Sequence, residues 1–99
     1  MFIIMGSFDL NPDEQGLTRV PDCVASELRR NSFVLEPALD ARGRPILLGL
    51  PRAAAPHARP GHVDGLGRLS LPADAIGGVA SRGGVLRLIG CGQYFVIEG

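Results

Sequence analysis

Apolar residues in this chain come in short bursts at strand spacing, separated by turn residues and by one stretch at helical spacing. The clearest unit is Val63-Asp64-Gly65-Leu66-Gly67-Arg68-Leu69-Ser70-Leu71-Pro72. Leu69 and Leu71 alternate with polar neighbours, the period of a half-buried strand. Asp64 can bond its own downstream backbone, and Gly65 and Gly67 tolerate positive φ, so a tight turn precedes that strand. Pro72 suits the first turn of a helix, where its missing N–H is no loss. The pattern predicts strand, sharp turn, strand, helix.

A weaker copy lies upstream. Asp13, Gly16 and Pro21 are spaced as Asp64, Gly67 and Pro72 are, each pair 51 positions apart. At the same offset Ala25 falls on Ile76, Val34 on Val85, Leu35 on Leu86 and Ile46 on Ile97. Self-similarity at one offset predicts two copies of one structural unit. Asp40-Ala41-Arg42-Gly43-Arg44 also resembles Asp64 to Arg68, at an offset of 24, but brings no helix into register. It reads as a hairpin turn inside the first copy.

In order, the pattern predicts a strand over 2–10, a turn over 11–16 and a strand over 17–20. A helix follows from Pro21-Asp22 to Arg30, with Val24, Ala25 and Leu28 on one face. Asp22 in its first turn and Arg29 and Arg30 in its last suit the helix dipole, and Asn31 is placed for a left-handed cap. Phe33 to Leu35 reads as a strand, 36–44 as a turn region and Ile46 to Leu48 as a strand. Pro51 to Pro60 reads as an extended linker. Strands near 61–64, 68–71, 85–90 and 93–98 then enclose a short helix near 73–80, weakened by Gly77-Gly78. The predicted core is Phe8, Val20, Leu28, Val34, Leu35, Ile46, Leu71, Ile76, Leu86, Leu88, Phe95 and Ile97.

These residues resemble a family. Asp64 to Pro72, Val85 to Gly90 and Tyr94 to Glu98 are similar to the second repeat of MraZ regulators. Those belong to the AbrB/MazE/SpoVT swapped-hairpin superfamily. Met5 to Phe8, Asp13 to Pro21 and Val24 to Leu28 resemble the first repeat. The resemblance implies a mainly-β fold with short helices, a pseudo-two-fold swapped-hairpin β-barrel of two tandem AbrB-like repeats. Residues 1–50 would be the first repeat, 51–60 a linker and 61–99 the second, in a single domain. It also implies a DNA-binding transcriptional regulator of the bacterial cytoplasm and nucleoid, a homo-oligomer on repeated sites in double-stranded DNA. The chain departs from the family at Leu17, where the motif has the arginine that the second copy keeps as Arg68. The region between the copies is also shorter. Arg19, two places beyond Leu17 on the same strand face, is the candidate replacement.

Composition adds a charge pattern. The 99 residues carry no formal net charge, and all ten basic residues are arginine. Residues 1–39 hold six acids against three arginines, whereas 40–68 hold Arg42, Arg44, Arg52, Arg59 and Arg68 against Asp40 and Asp64. A basic middle is an electrostatic footprint for a polyanion or a solvated loop. The candidate DNA-binding residues are therefore Arg68, Arg19, Arg42, Arg44 and Arg59. Zero net charge and Leu17 favour the alternative, a protein-interaction or antitoxin-like module of the same fold without DNA binding.

Catalysis finds little purchase. There is no nucleophile elbow or phosphate-binding Gly-x-x-x-x-Gly-Lys loop. Ser70 reads as a solvent-side strand position. His57 and His62 are too few, and too far in sequence from Cys23 and Cys91, for a metal centre. Two isolated cysteines point to a reducing compartment. Met1 to Met5 lacks a basic n-region and is too short to span a membrane. Neither enzyme activity, cofactor, metal, membrane nor small-molecule substrate is expected.

Overall fold

The computed structural model describes residues 3–73 and 86–99. Its turns are set by aspartate carboxylates. Asp13 Oδ1 accepts from the backbone N–H groups of Gln15 (2.8 Å) and Leu17 (3.0 Å). Asp40 Oδ1 accepts from Arg42 (2.8 Å) and Arg44 (2.9 Å), and Asp64 Oδ1 from Leu66 and Arg68 (both 2.9 Å). In each turn the aspartate N–H donates to the carbonyl four residues on, and its own carbonyl accepts from the glycine between. Those glycines, Gly16, Gly43 and Gly67, have φ of 81°, 76° and 78°. Only glycine takes that conformation without a Cβ penalty. The likeness of Asp40–Arg44 to Asp64–Arg68 thus reflects shared turn chemistry.

The strands between these turns are β1 (Ile4–Leu10), β2 (Leu17–Arg19), β3 (Phe33–Leu39), β4 (Pro45–Pro51), β5 (Arg59–Pro60), β6 (Arg68–Ser70), β7 (Leu86–Gly92) and β8 (Phe95–Glu98). The helix α1 spans Asp22–Arg30, and Arg52–Ala54 form a 3₁₀ turn. The fold is mainly β. Six strands form an antiparallel sheet in the order β1-β7-β8-β4-β3-β5, and β2 and β6 form a separate antiparallel ribbon. The six-stranded sheet has β1 and β5 at its edges, so the expected closed barrel is not formed among the described residues. β5 is only two residues long, too short to carry the ladder round to β1. Residues 74–80 of the expected helix, with the core position Ile76, lie outside the described residues.

The ribbon obeys a simple exchange. Leu17 faces Ser70, Thr18 faces Leu69 and Arg19 faces Arg68. Val20 N–H donates to Gly67 O (3.0 Å), and Leu71 N–H donates to Gly16 O (2.8 Å). Moving each residue of one bond by 51 positions gives the other.

Other elements differ from the pattern-based reading for identifiable reasons. β3 continues through Glu36 and Pro37 to Leu39, where a turn was expected. β5 pairs only with Val34 and Leu35, so Pro37 lies where β3 is an edge, a position that tolerates proline. Asn31 is extended (φ −128°, ψ 134°), not left-handed. Its side-chain Nδ2 instead donates to Glu27 O at 2.8 Å, ending α1 while the backbone runs straight into β3. The Pro51–Pro60 stretch holds the end of β4, the 3₁₀ turn and β5, more structure than an extended linker.

One apolar core joins sheet, ribbon and helix: Leu35, Leu47, Leu88, Phe95 and Ile97 from the sheet, Leu69 and Leu71 from β6 and its exit, and Val24, Ala25 and Leu28 from α1. Phe8, expected inside, is only partly buried, because it sits on edge strand β1 with its ring over Gly6. The other predicted core residues within the described stretches are buried. The Phe95 ring packs against Gly49 so closely that an added Cβ would collide with it. Phe33 does the same over Gly61, and the two rings lie 6.2 Å apart.

Two substitutions check this packing by chemical denaturation. Leu35→Ala removes a side chain 2% exposed and is expected to cost about 2–5 kcal/mol. Gly49→Ala forces the buried Phe95 ring to move and is expected to cost about 1–3 kcal/mol. Unchanged midpoints in both variants contradict the core assignment.

Candidate nucleic-acid interface

β2 and β6 have one inner and one outer face. Thr18 and Leu69, directly opposite each other, point inward and are 1% and 0% exposed. The Thr18 hydroxyl is not orphaned there, since Oγ1 accepts from the Asn11 N–H at 3.1 Å. By strand alternation, Leu17, Arg19, Arg68 and Ser70 share the outer face. Ser70 is half-buried there, on the outer face expected of it.

On that outer face the two motif-strand arginines meet. Arg19 and Arg68 are cross-strand partners. Like charges placed directly opposite on a sheet are unfavourable unless something anionic lies between or beside them. Asp64 supplies part of that charge. Its Oδ1 caps the turn while its Oδ2 takes the Arg68 Nε–H at 2.7 Å. The turn's carboxylate thus fixes the guanidinium by its Nε edge. Arg68 keeps 38% of its side chain exposed. Arg19 is exposed and has no hydrogen bond or ion pair from its side chain among the described residues.

The Asp64 carboxyl is held below the usual aspartate range, chiefly by the backbone N–H of Arg68, against a burial effect that pushes it up; the Arg68 side chain and the Leu66 N–H add to the lowering. Asp40 is lowered likewise, first by the Arg44 N–H.

The structure does not gather all five candidate arginines. Arg42 and Arg44 stand exposed on the β3–β4 hairpin turn, and Arg59 lies on edge strand β5 opposite Leu35. Only Arg19 and Arg68 are paired by a ladder. Arg29, absent from the candidates, joins them from α1. A Cβ on Gly67 would lie 3.7 Å from the Arg29 guanidinium and 3.8 Å from the Ala25 Cβ. Arg29 follows Ala25 by one helical turn, so the face that buries Ala25 carries Arg29 to the motif turn. That spacing was legible, but it also fits a helix-dipole role.

Elsewhere the chemistry is sparse. Cys23 and Cys91 are free and exposed. The Cys91 thiol lies 3.7 Å from Ile89 O, and its hydrogen bond with Tyr94 raises the phenol above its usual range. No helix among the described residues is long and apolar enough to cross a membrane. The sequence matches no protein-family model, and no curated protein or solved structure matches it.

The turn's charge gives a pH prediction. A carboxyl whose folded pKa is depressed contributes stability that is present above its unfolded value, near 3.8, and is lost as pH falls through the lower folded value. Asp64→Asn keeps the size but loses the anion. Wild type is expected to exceed this variant in stability at neutral pH, with the gap closing below about pH 4. Thermal melts from neutral to acid pH measure it; a gap independent of pH contradicts the assignment.

Proposed function

We propose that this chain is a DNA-binding transcriptional regulator of MraZ type, built from two tandem swapped-hairpin repeats. The observation that carries the reading is the outer face of the β2–β6 ribbon, where Arg19 and Arg68 face each other and Asp64 fixes Arg68. The exchange of Val20–Gly67 for Leu71–Gly16 supports a pseudo-two-fold axis through the ribbon. So does the order of the large sheet: β1-β7-β8 on one side of its centre answers β5-β3-β4 on the other. Under that axis β4 and β8 correspond, and so do the Asp13 and Asp64 turns.

Arginine suits this work because its planar fork donates two parallel hydrogen bonds to phosphate or to guanine. Phosphate contacts set register on the duplex and base-edge contacts set preference. With its Nε held by Asp64, Arg68 has its terminal N–H groups for DNA. Arg19 supplies the positive charge that Leu17 does not. A single ribbon offers few arginines, so tight binding requires several copies on repeated sites, through effective concentration. Leu17 favours a second reading, a protein-interaction module of the same fold: half-buried on the same face, it gives the first copy an apolar residue where the second has Arg68.

Fluorescence anisotropy with promoter DNA over a range of salt separates the two. Log affinity is expected to fall against log salt with a slope of about −0.9 for each phosphate contacted. Arg68→Ala is expected to cost about 1–3 kcal/mol in binding, with relaxed preference at one position if Arg68 reads a base edge. Arg19→Ala is expected to weaken binding to all sequences alike. Failure of the pure wild type to bind any promoter fragment at low salt rejects the DNA reading and leaves the interaction module.

A further inference from the structure

A second cationic feature lies beyond the ribbon's outer face. The C-terminal end of α1, the start of β3, the 3₁₀ turn after β4 and the segment after β5 enclose a cleft of about 320 Å³. Its basic lining residues are Arg29, Arg30, Arg52 and His62, and no carboxylate among the described residues lines it. Main-chain bonds fix its walls: the Arg52 N–H donates to Ser32 O (3.2 Å), the Gly61 N–H to Phe33 O (2.9 Å) and the Ser70 N–H to His62 O (3.0 Å). Gly61 presses on the Phe33 ring so closely that a Cβ would fall 2.0 Å from it. The four cationic or basic groups thus come from three separate segments pinned together.

Of these four side chains only Arg30 has a carboxylate partner among the described residues, Glu27 on the helix itself at 3.5 Å. Arg29, Arg52 and His62 have no side-chain partner among those residues. Three guanidinium groups around one opening repel one another unless an anion joins them. A guanidinium can donate two parallel charge-assisted hydrogen bonds to one oxyanion, so a phosphate is the kind of anion such a lining suits. The last carbonyls of α1 face this end and oppose an anion, so the arginines must outweigh them.

We propose that this cleft binds a phosphate group. It does not depend on the ribbon's reading as a DNA surface: Arg52 and His62 lie outside that face, and Arg68 does not line the cleft. The volume accommodates inorganic phosphate or pyrophosphate, or a phosphate presented by a larger molecule.

The test is an NMR titration of the full chain with sodium phosphate, pyrophosphate and a 5′-phosphorylated duplex, at ionic strength held constant with chloride. Saturable shifts are expected at the amides of Ser32, Arg52, Gly61 and His62. Arg52→Ala is expected to weaken binding roughly tenfold or more, because two charge-assisted hydrogen bonds are lost. Arg52→Lys, which keeps the charge without the fork, is expected to fall between. Arg68→Ala is expected to leave phosphate binding unchanged while impairing the duplex, which separates this cleft from the ribbon. Response to the two small anions assigns the site to a free phosphate ligand. Response to the duplex alone, weakened by Arg52→Ala, assigns the phosphate to DNA; either supports phosphate recognition. Equal shifts with chloride, or Arg52→Ala binding as tightly as a wild type of the same melting temperature, overturns it.

Discussion

The carboxylate of Asp64 is the contact on which the rest depends. One of its oxygens closes a turn by accepting two backbone N–H groups, and the other holds the guanidinium that begins β6. The turn brings the carbonyl of Gly67 to the N–H of Val20, and the equivalent turn brings Gly16 to Leu71. These two bonds cap both ends of a two-stranded ribbon only three residues long. A ribbon so short is not stable alone. It persists because Thr18 and Leu69 are buried against a core shared with α1 and the large sheet.

That arrangement links stability to display. The inner positions of the ribbon must be apolar or internally satisfied, so only the outer positions are open to chemistry. Two of those four positions are arginines placed opposite each other. Sheets avoid this juxtaposition when packing alone decides. Asp64 offsets it in part, and the residual positive charge faces outward where a polyanion can approach. Arg29, carried in by the same helix face that buries Ala25, extends the charge beside the motif turn.

Much of this was legible in the sequence because it rests on local rules. Asp-x-x-Gly spacing marked the three turns, apolar alternation marked most strands, and Pro21 and the Val24–Leu28 spacing marked α1. The failures are tertiary. β3 runs through Pro37 because its neighbour β5 is short, and no local pattern encodes a neighbour's length. Asn31 ends the helix with its side chain instead of its backbone, a choice made by the immediate need for an extended β3. Phe8 obeys the strand period but lies at an edge. In the site, the motif flagged Arg68 and same-face spacing flagged Arg19, but their direct opposition required the ribbon's register. Charge counting grouped Arg42, Arg44 and Arg59 with Arg68, whereas the fold sets them on other elements. It also overlooked Arg29, whose neighbours in sequence are not its neighbours in space.

The central claim is that the ribbon's outer face is where DNA meets the protein. The most direct measurement is the set of backbone amide shift changes when a promoter duplex is titrated into the isotopically labelled protein. The account predicts the largest changes at Leu17 to Arg19, Arg68 to Ser70 and the Asp13 and Asp64 turns, with β7 and β8 little affected. Changes concentrated on the six-stranded sheet, with the ribbon silent, would contradict it.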